Sequence, residues 1–152
     1  ERIRAVYPYA LSKRPQVTGY PAFDLAEMPP TLTVPGGRIH ATALPHGRIE
    51  TLGLVFEEAG TGKTFAYFSD CKSVTPRARE LAAGADACAL DGLRLKEHPS
   101  HMTIYEAIEV ALDIGAPQNF ITHMTFQINH ASWQKELPPT VALAYDGLRV
   151  RL

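Results

Sequence analysis

The chain has 152 residues, 45% of them hydrophobic and 20% charged, with 15 basic against 16 acidic side chains and a net charge of −1. That length holds one domain with a real core, and so even a balance excludes bulk electrostatic attraction to nucleic acid or an anionic membrane. No apolar run reaches the roughly 20 residues a spanning helix needs, and no basic–apolar–small leader is visible.

The only two cysteines, Cys71 and Cys88, form no C-x-x-C motif. They favour a cytoplasmic protein over a disulfide scaffold. The start at Glu1 instead of Met leads to the expectation that the chain was trimmed or cut from something longer.

Residues 1–30 form a Pro-rich lead-in, with Pro8, Pro15, Pro21, Pro29 and Pro30 among the aromatics Tyr7, Tyr9, Tyr20 and Phe23. Proline lacks the donor that helices and ladders use, so the segment is expected to be irregular and to pack through its aromatic rings. Thr31–Val34 and Arg38–Leu44 flank Pro35-Gly36-Gly37 as a hairpin, and Thr51–Phe56 with Thr64–Ser69 form a second. Thr75 is an N-cap with Pro76 at the first helical position, and Gly84 closes that helix. Ala85–Leu90 is a short apolar run expected as a buried strand. Thr103 and Glu106 fit a capping box opening a helix that Gly115 and Pro117 end. Asn119–Thr122 is a strand, His130–Leu137 a short helix, and Val141–Tyr145 with Leu148–Leu152 a hairpin around Asp146-Gly147. The order, hairpins and then alternating helices and strands, predicts a mixed α/β (α+β) domain with helices packed on a sheet.

Four of the expected strands each run into a His or an Asp: His46, Asp70, Asp91 and His123. Side chains at one end of neighbouring strands converge, and imidazole and carboxylate suit zinc, manganese or iron. Taken singly, each residue has an ordinary reading, since histidines cap and hydrogen-bond and aspartates favour the turns that end strands. Gly60-Thr61-Gly62-Lys63-Thr64 invites a nucleotide reading, but Glu57 stands where the phosphate loop needs glycine, and a β-rich run follows where a helix is required. A hairpin turn is the better reading.

Six segments in order then carry a resemblance: Leu44-Pro45-His46-Gly47-Arg48-Ile49, Phe68-Ser69-Asp70, Leu90-Asp91-Gly92-Leu93-Arg94, His98-Pro99-Ser100-His101, Ile121-Thr122-His123 and Ala144-Tyr145-Asp146-Gly147-Leu148. The series resembles metallo-β-lactamase-fold hydrolases, in particular the branch of phosphoribosyl cyclic phosphodiesterases. The resemblance implies an αββα sandwich, of which residues 1–152 would be the C-terminal part of one domain. It implies two divalent metal ions, zinc or manganese, and an activated water that attacks a small cyclic or diester phosphate. His46 would ligate the first metal, Asp70 would bridge, and His123 would ligate the second. His101, with Asp70, would be catalytic, acting on the phosphate or leaving group. Arg94 and His98 would bind substrate, and Asp91, which begins the run before the family histidine, would orient that histidine or a ligand through a hydrogen bond.

Two departures from that family stand out. Its H-x-H-x-D-H motif, the source of four metal ligands, is absent, so an N-terminal segment or a second chain is expected to supply the remainder. Phe126, Gln127 and Asn129 stand where relatives often carry a histidine and an Asp-rich stretch, although His130 fits the pattern. The expected partners are a small phosphate ester, the missing segment or chain, and a further copy in a homo-oligomer. The alternative is a non-catalytic half-domain that pairs with another subunit.

Overall fold

The computed structural model describes residues 2–11 and 21–152; Lys13, Arg14, Pro15 and Tyr20 lie outside the described residues. Seven strands form one sheet in chain order. β1 (Thr31–Val34), β2 (Gly37–His46), β3 (Ile49–Glu58) and β4 (Thr64–Phe68) run antiparallel to one another. β4, β5 (Ala87–Asp91), β6 (Gln118–Thr122) and β7 (Val141–Leu143) run parallel. The parallel connections carry α2 (Pro76–Ala82), α3 (Ile104–Ile114) and α4 (His130–Trp133), because parallel neighbours need a crossover long enough to return the chain to its starting edge. Among the described residues no helix is long and apolar enough to cross a membrane.

Local chemistry explains most of the boundaries. Thr75 Oγ1 accepts the Ala78 amide to open α2. Thr103 and Glu106 complete the expected reciprocal capping box on α3, and Gly115 ends that helix at φ 71. The turn at residues 59–63 joins β3 to β4 as a hairpin, with Gly62 at φ 71 and its amide bonded to the Glu58 carbonyl.

Within the lead-in Arg2–Val6 forms a one-turn helix, α1. Two local expectations need correction. Residues 148–152 form no strand, so Asp146-Gly147 turns the chain without closing a hairpin, and Arg151 instead lends its carbonyl to Gln118. The two expected hairpins share a longer one between them, with β2 and β3 pairing over ten residues each, down to His46 opposite Ile49. Pro45 hid this pairing. It is tolerated because β1 ends before reaching it, and what faces Pro45 on that side is the Lys72 amide, donating to its carbonyl at 2.7 Å.

Alternation divides the sheet into two faces. Leu44, Val55, Ala66, Phe68, Cys88, Leu90, Ile121, Val141 and Leu143 are buried in one core cluster with Ala78 and Ala82 of α2 and Ile104, Ala107 and Ala111 of α3. On the opposite face Leu52, Phe56 and Tyr67 stay 52%, 36% and 40% exposed. The result is a mixed sheet with helices packed on one face and apolar side chains left exposed on the other.

Candidate metal centre

The topology decides which strand ends meet. β2 and β4 are both antiparallel to β3, so they point the same way, and His46 at the end of β2 lies on the edge where β4, β5 and β6 finish. Asp70 follows β4 by two residues, Asp91 ends β5, and His123 directly follows β6. The loop from β5 to α3 brings His98 and His101 to the same edge. Thr51 of β3 donates to the Asp70 carbonyl at 2.9 Å, tying the start of that strand to the site as well.

Two of these residues hold left-handed backbone, Asp70 at φ 53 and His123 at φ 61, the only non-glycine residues with positive φ among the described residues. Such backbone is uncommon and least costly for Asn, Asp and His. Both fall just past a strand end beside the histidine cluster, and strained backbone of this kind clusters at functional sites.

The expected residues converge. One ligand atom each from His46, Asp70 and His101 lies within 4.8 Å of the others. His123 Nε2 is 3.0 Å from Asp70 Oδ1. The His101 ring is central: its centroid is 4.6 Å from that of His46, 5.0 Å from His123 and 5.0 Å from His98. The tightest trio includes His101 in place of His123, so His101 is as well placed to ligate as to act on substrate, while His123 reaches the group through Asp70.

Hydrogen bonds set which nitrogen each ring offers. His46 Nδ1 donates to the Ser100 carbonyl at 2.9 Å, leaving the Nε2 lone pair free. His101 Nδ1 lies 2.7 Å from Asp91 Oδ2, and the Cys71 amide donates to that same oxygen at 2.8 Å. Asp91 is fully buried, and burial pushes its carboxyl above the ordinary value, against the pull of the His101 and Cys71 hydrogen bonds. Burial pushes both thiols, Cys71 and Cys88, up to about 12.

This donor set fits a divalent cation. Three imidazoles and a carboxylate are the ligand types of zinc and manganese sites, two of the rings are fixed from behind by hydrogen bonds, and Asp70 keeps its side chain 51% exposed.

The cations are less available than their place in sequence suggested. Arg94 spends Nε on the Lys96 carbonyl at 3.1 Å and Nη2 on the Glu97 carbonyl at 2.8 Å, clamping the loop that leads to His98. His130 lies away from the cluster, with Nε2 3.3 Å from the Leu143 carbonyl. Ser100 was not singled out in the sequence, because its partners His46 and His98 are recognisable only once the fold joins the β5–α3 loop to the β2–β3 turn.

The profile of the beta-lactamase superfamily domain matches residues 1–124. An octanoyltransferase from Porphyromonas gingivalis strain W83 is 31% identical over 155 aligned residues, which span 97% of this chain and 30% of that protein. The crystal structure of a diphosphatase from the PhnP family superposes with a TM-score of 0.83 at 24% identity, covering 99% of this chain and 54% of that one. The metallo-β-lactamase-fold protein YhfI from Bacillus subtilis superposes with a TM-score of 0.73 at 18% identity, covering 95% and 59%. At these identities the two structures bear on fold alone, and this chain spans little more than half the length of either. The edge-of-sheet histidines and the profile match agree: this chain belongs to the beta-lactamase superfamily domain family and has the metallo-β-lactamase fold.

Proposed function

We propose that the chain carries part of the site of a metal-dependent hydrolase acting on a small cyclic or diester phosphate. The observation that carries the reading is the convergence of His46, Asp70 and His101 within 4.8 Å, with His123 joined through Asp70. The resemblance carried by the ordered motifs around His46, Asp70, Asp91, His101 and His123 suits a phosphate ester better than a β-lactam. When bound, two divalent ions, zinc or manganese, supply Lewis acidity and a water acidic enough to attack near neutral pH.

The chain's own residues do the rest. His46, Asp70 and His123 hold the cations. Asp91 fixes the His101 ring, so that Nε2 is the atom that holds or delivers a proton at the leaving oxygen. His98 lies behind His101 on the side strengthened by the Arg94 charge, where an anionic oxygen is favoured. The remaining ligands come from a protein layer seated on the open sheet face, contributed by an N-terminal segment or a second chain.

The test is metal binding by the chain and phosphodiester turnover by the completed protein. Asp70→Ala removes the carboxylate that is grouped with His46 and His101 and paired with His123, and is expected to abolish stoichiometric zinc or manganese binding and lower turnover at least a hundredfold, on the order of the loss when a metal ligand's support fails. Unchanged metal content in that variant, read by elemental analysis, overturns the reading. The second reading, a non-catalytic half-domain, is favoured by the apolar face that stays exposed; stoichiometric metal and turnover by the chain alone would exclude it. Acyl transfer through a thiol finds no support, because both cysteines are buried with their thiols held protonated near neutral pH.

A further inference from the structure

Ser100 touches two histidines of the site in opposite senses. Its carbonyl accepts from His46 Nδ1 at 2.9 Å. Its backbone N–H and its hydroxyl both reach His98 Nδ1, at 3.3 and 3.2 Å. A carbonyl can only accept, so His46 carries hydrogen on Nδ1, and in the neutral ring the lone pair is then on Nε2. A backbone N–H can only donate, so His98 keeps its lone pair on Nδ1 and carries hydrogen on Nε2. The geometry points to Ser100 as a positioning residue that sorts the two imidazoles, making His46 a metal ligand and His98 a fixed hydrogen-bond donor to an anionic phosphate oxygen. This deepens the hydrolase reading and rests on it for the class of substrate.

The surroundings hold the serine to that task. Gly47, next to His46 in the β2–β3 turn, has φ 64, and a Cβ there would lie 3.2 Å from Ser100 Cβ, so the turn and the serine are packed with no side chain between them. On the other side Arg94 holds the Lys96 and Glu97 carbonyls, setting the path of the chain just before His98. A neutral ring with hydrogen on Nε2 cannot ligate through that atom without losing the proton, whereas it can donate to an oxygen at no such cost. His98 is therefore withheld from the cation and offered to the substrate.

The experiment is ¹⁵N NMR of histidine tautomers in the metal-free chain, followed by zinc and inorganic phosphate titrations. His98 is expected as the Nε2–H tautomer and His46 as Nδ1–H. Phosphate added to the zinc-loaded chain should shift the His98 Nε2–H signal. Ser100→Ala removes the hydroxyl but keeps the carbonyl. His46 should stay Nδ1–H and zinc affinity should hold. His98 should keep the Nε2–H tautomer, because the backbone N–H still donates to Nδ1, but its ring loses the hydroxyl contact and phosphate affinity should fall about fivefold, the effect of one hydrogen bond. Ser100→Thr restores the hydroxyl and should recover that affinity. His98→Ala should reproduce the phosphate loss with zinc binding intact, which guards against a folding defect peculiar to the serine variant. Nδ1–H on His98 in the wild-type chain, a fall in zinc affinity on removing His98, or phosphate affinity equal in wild type and His98→Ala would each overturn the proposal. Absence of zinc binding with both tautomers as expected would instead sink the hydrolase reading and leave the sorting by Ser100 standing.

Discussion

Replacing Asp91 with alanine removes the one acceptor used by both His101 Nδ1–H and the Cys71 amide. Each donor left buried without a partner costs about 1–3 kcal/mol. Asp91→Ala should therefore lower the unfolding free energy by about 3 kcal/mol in urea titrations, while Asp91→Asn, which keeps an acceptor oxygen and the shape, should lose less than half of that. Equal stability of the two variants would show that the carboxylate does not hold these donors. The sequence placed an aspartate at this strand end and suggested that it orients a neighbour. It could not show that the neighbour is His101 together with the chain just after Asp70, because that triangle joins three segments far apart in sequence.

At the scale of elements, α3 is the best specified piece of the molecule. Thr103 accepts the Glu106 amide while Glu106 accepts the Thr103 amide at 2.6 Å. Thr103→Ala should cost about 1 kcal/mol. The Glu106 carboxyl is pushed up by burial, but the Lys72 ammonium and the Thr103 amide outweigh that and hold it below its ordinary value of 4.5. A depressed carboxyl stabilises the fold fully above its unfolded value, and that contribution fades as pH drops through the folded one. Stability should thus fall below about pH 4.5, and Glu106→Gln should flatten this acid limb in thermal melts recorded from pH 6 to 3; an unchanged slope would remove Glu106 from the account. Helix ends of this kind are legible because their signals lie within four residues of each other. The β2–β3 hairpin was only half legible, since Pro45 looks like a break until one sees that no strand needs its missing donor.

Seen whole, the molecule has one covered face and one apolar face. The register places Leu52 beside Ala43, Leu54 beside Tyr67 and Phe56 beside Phe65, so the exposed side chains form a continuous strip across β2, β3 and β4. A strip of this kind is the surface on which the proposed second layer would dock. The 152-residue chain on its own should self-associate, giving a concentration-dependent mass in sedimentation equilibrium, and Leu52→Lys with Tyr67→Glu should shift it to monomer with the helix content kept. A wild-type chain that stays monomeric at high concentration would count against a docked second layer.

Residue types and short spacings alone determined the mixed α/β class, the caps of α2 and α3, the approximate places of β5 and β6 and the set of histidines and aspartates worth watching, because each depends on backbone and side-chain preferences acting within a few positions. Only the tertiary structure decided that His46 shares an edge with Asp70 and His123, that the central ring is His101, that Arg94 is tied to its own loop, and that Ser100 stands between two histidines. Those outcomes follow from strand direction and register, which long-range pairing sets and no local stretch of chain encodes.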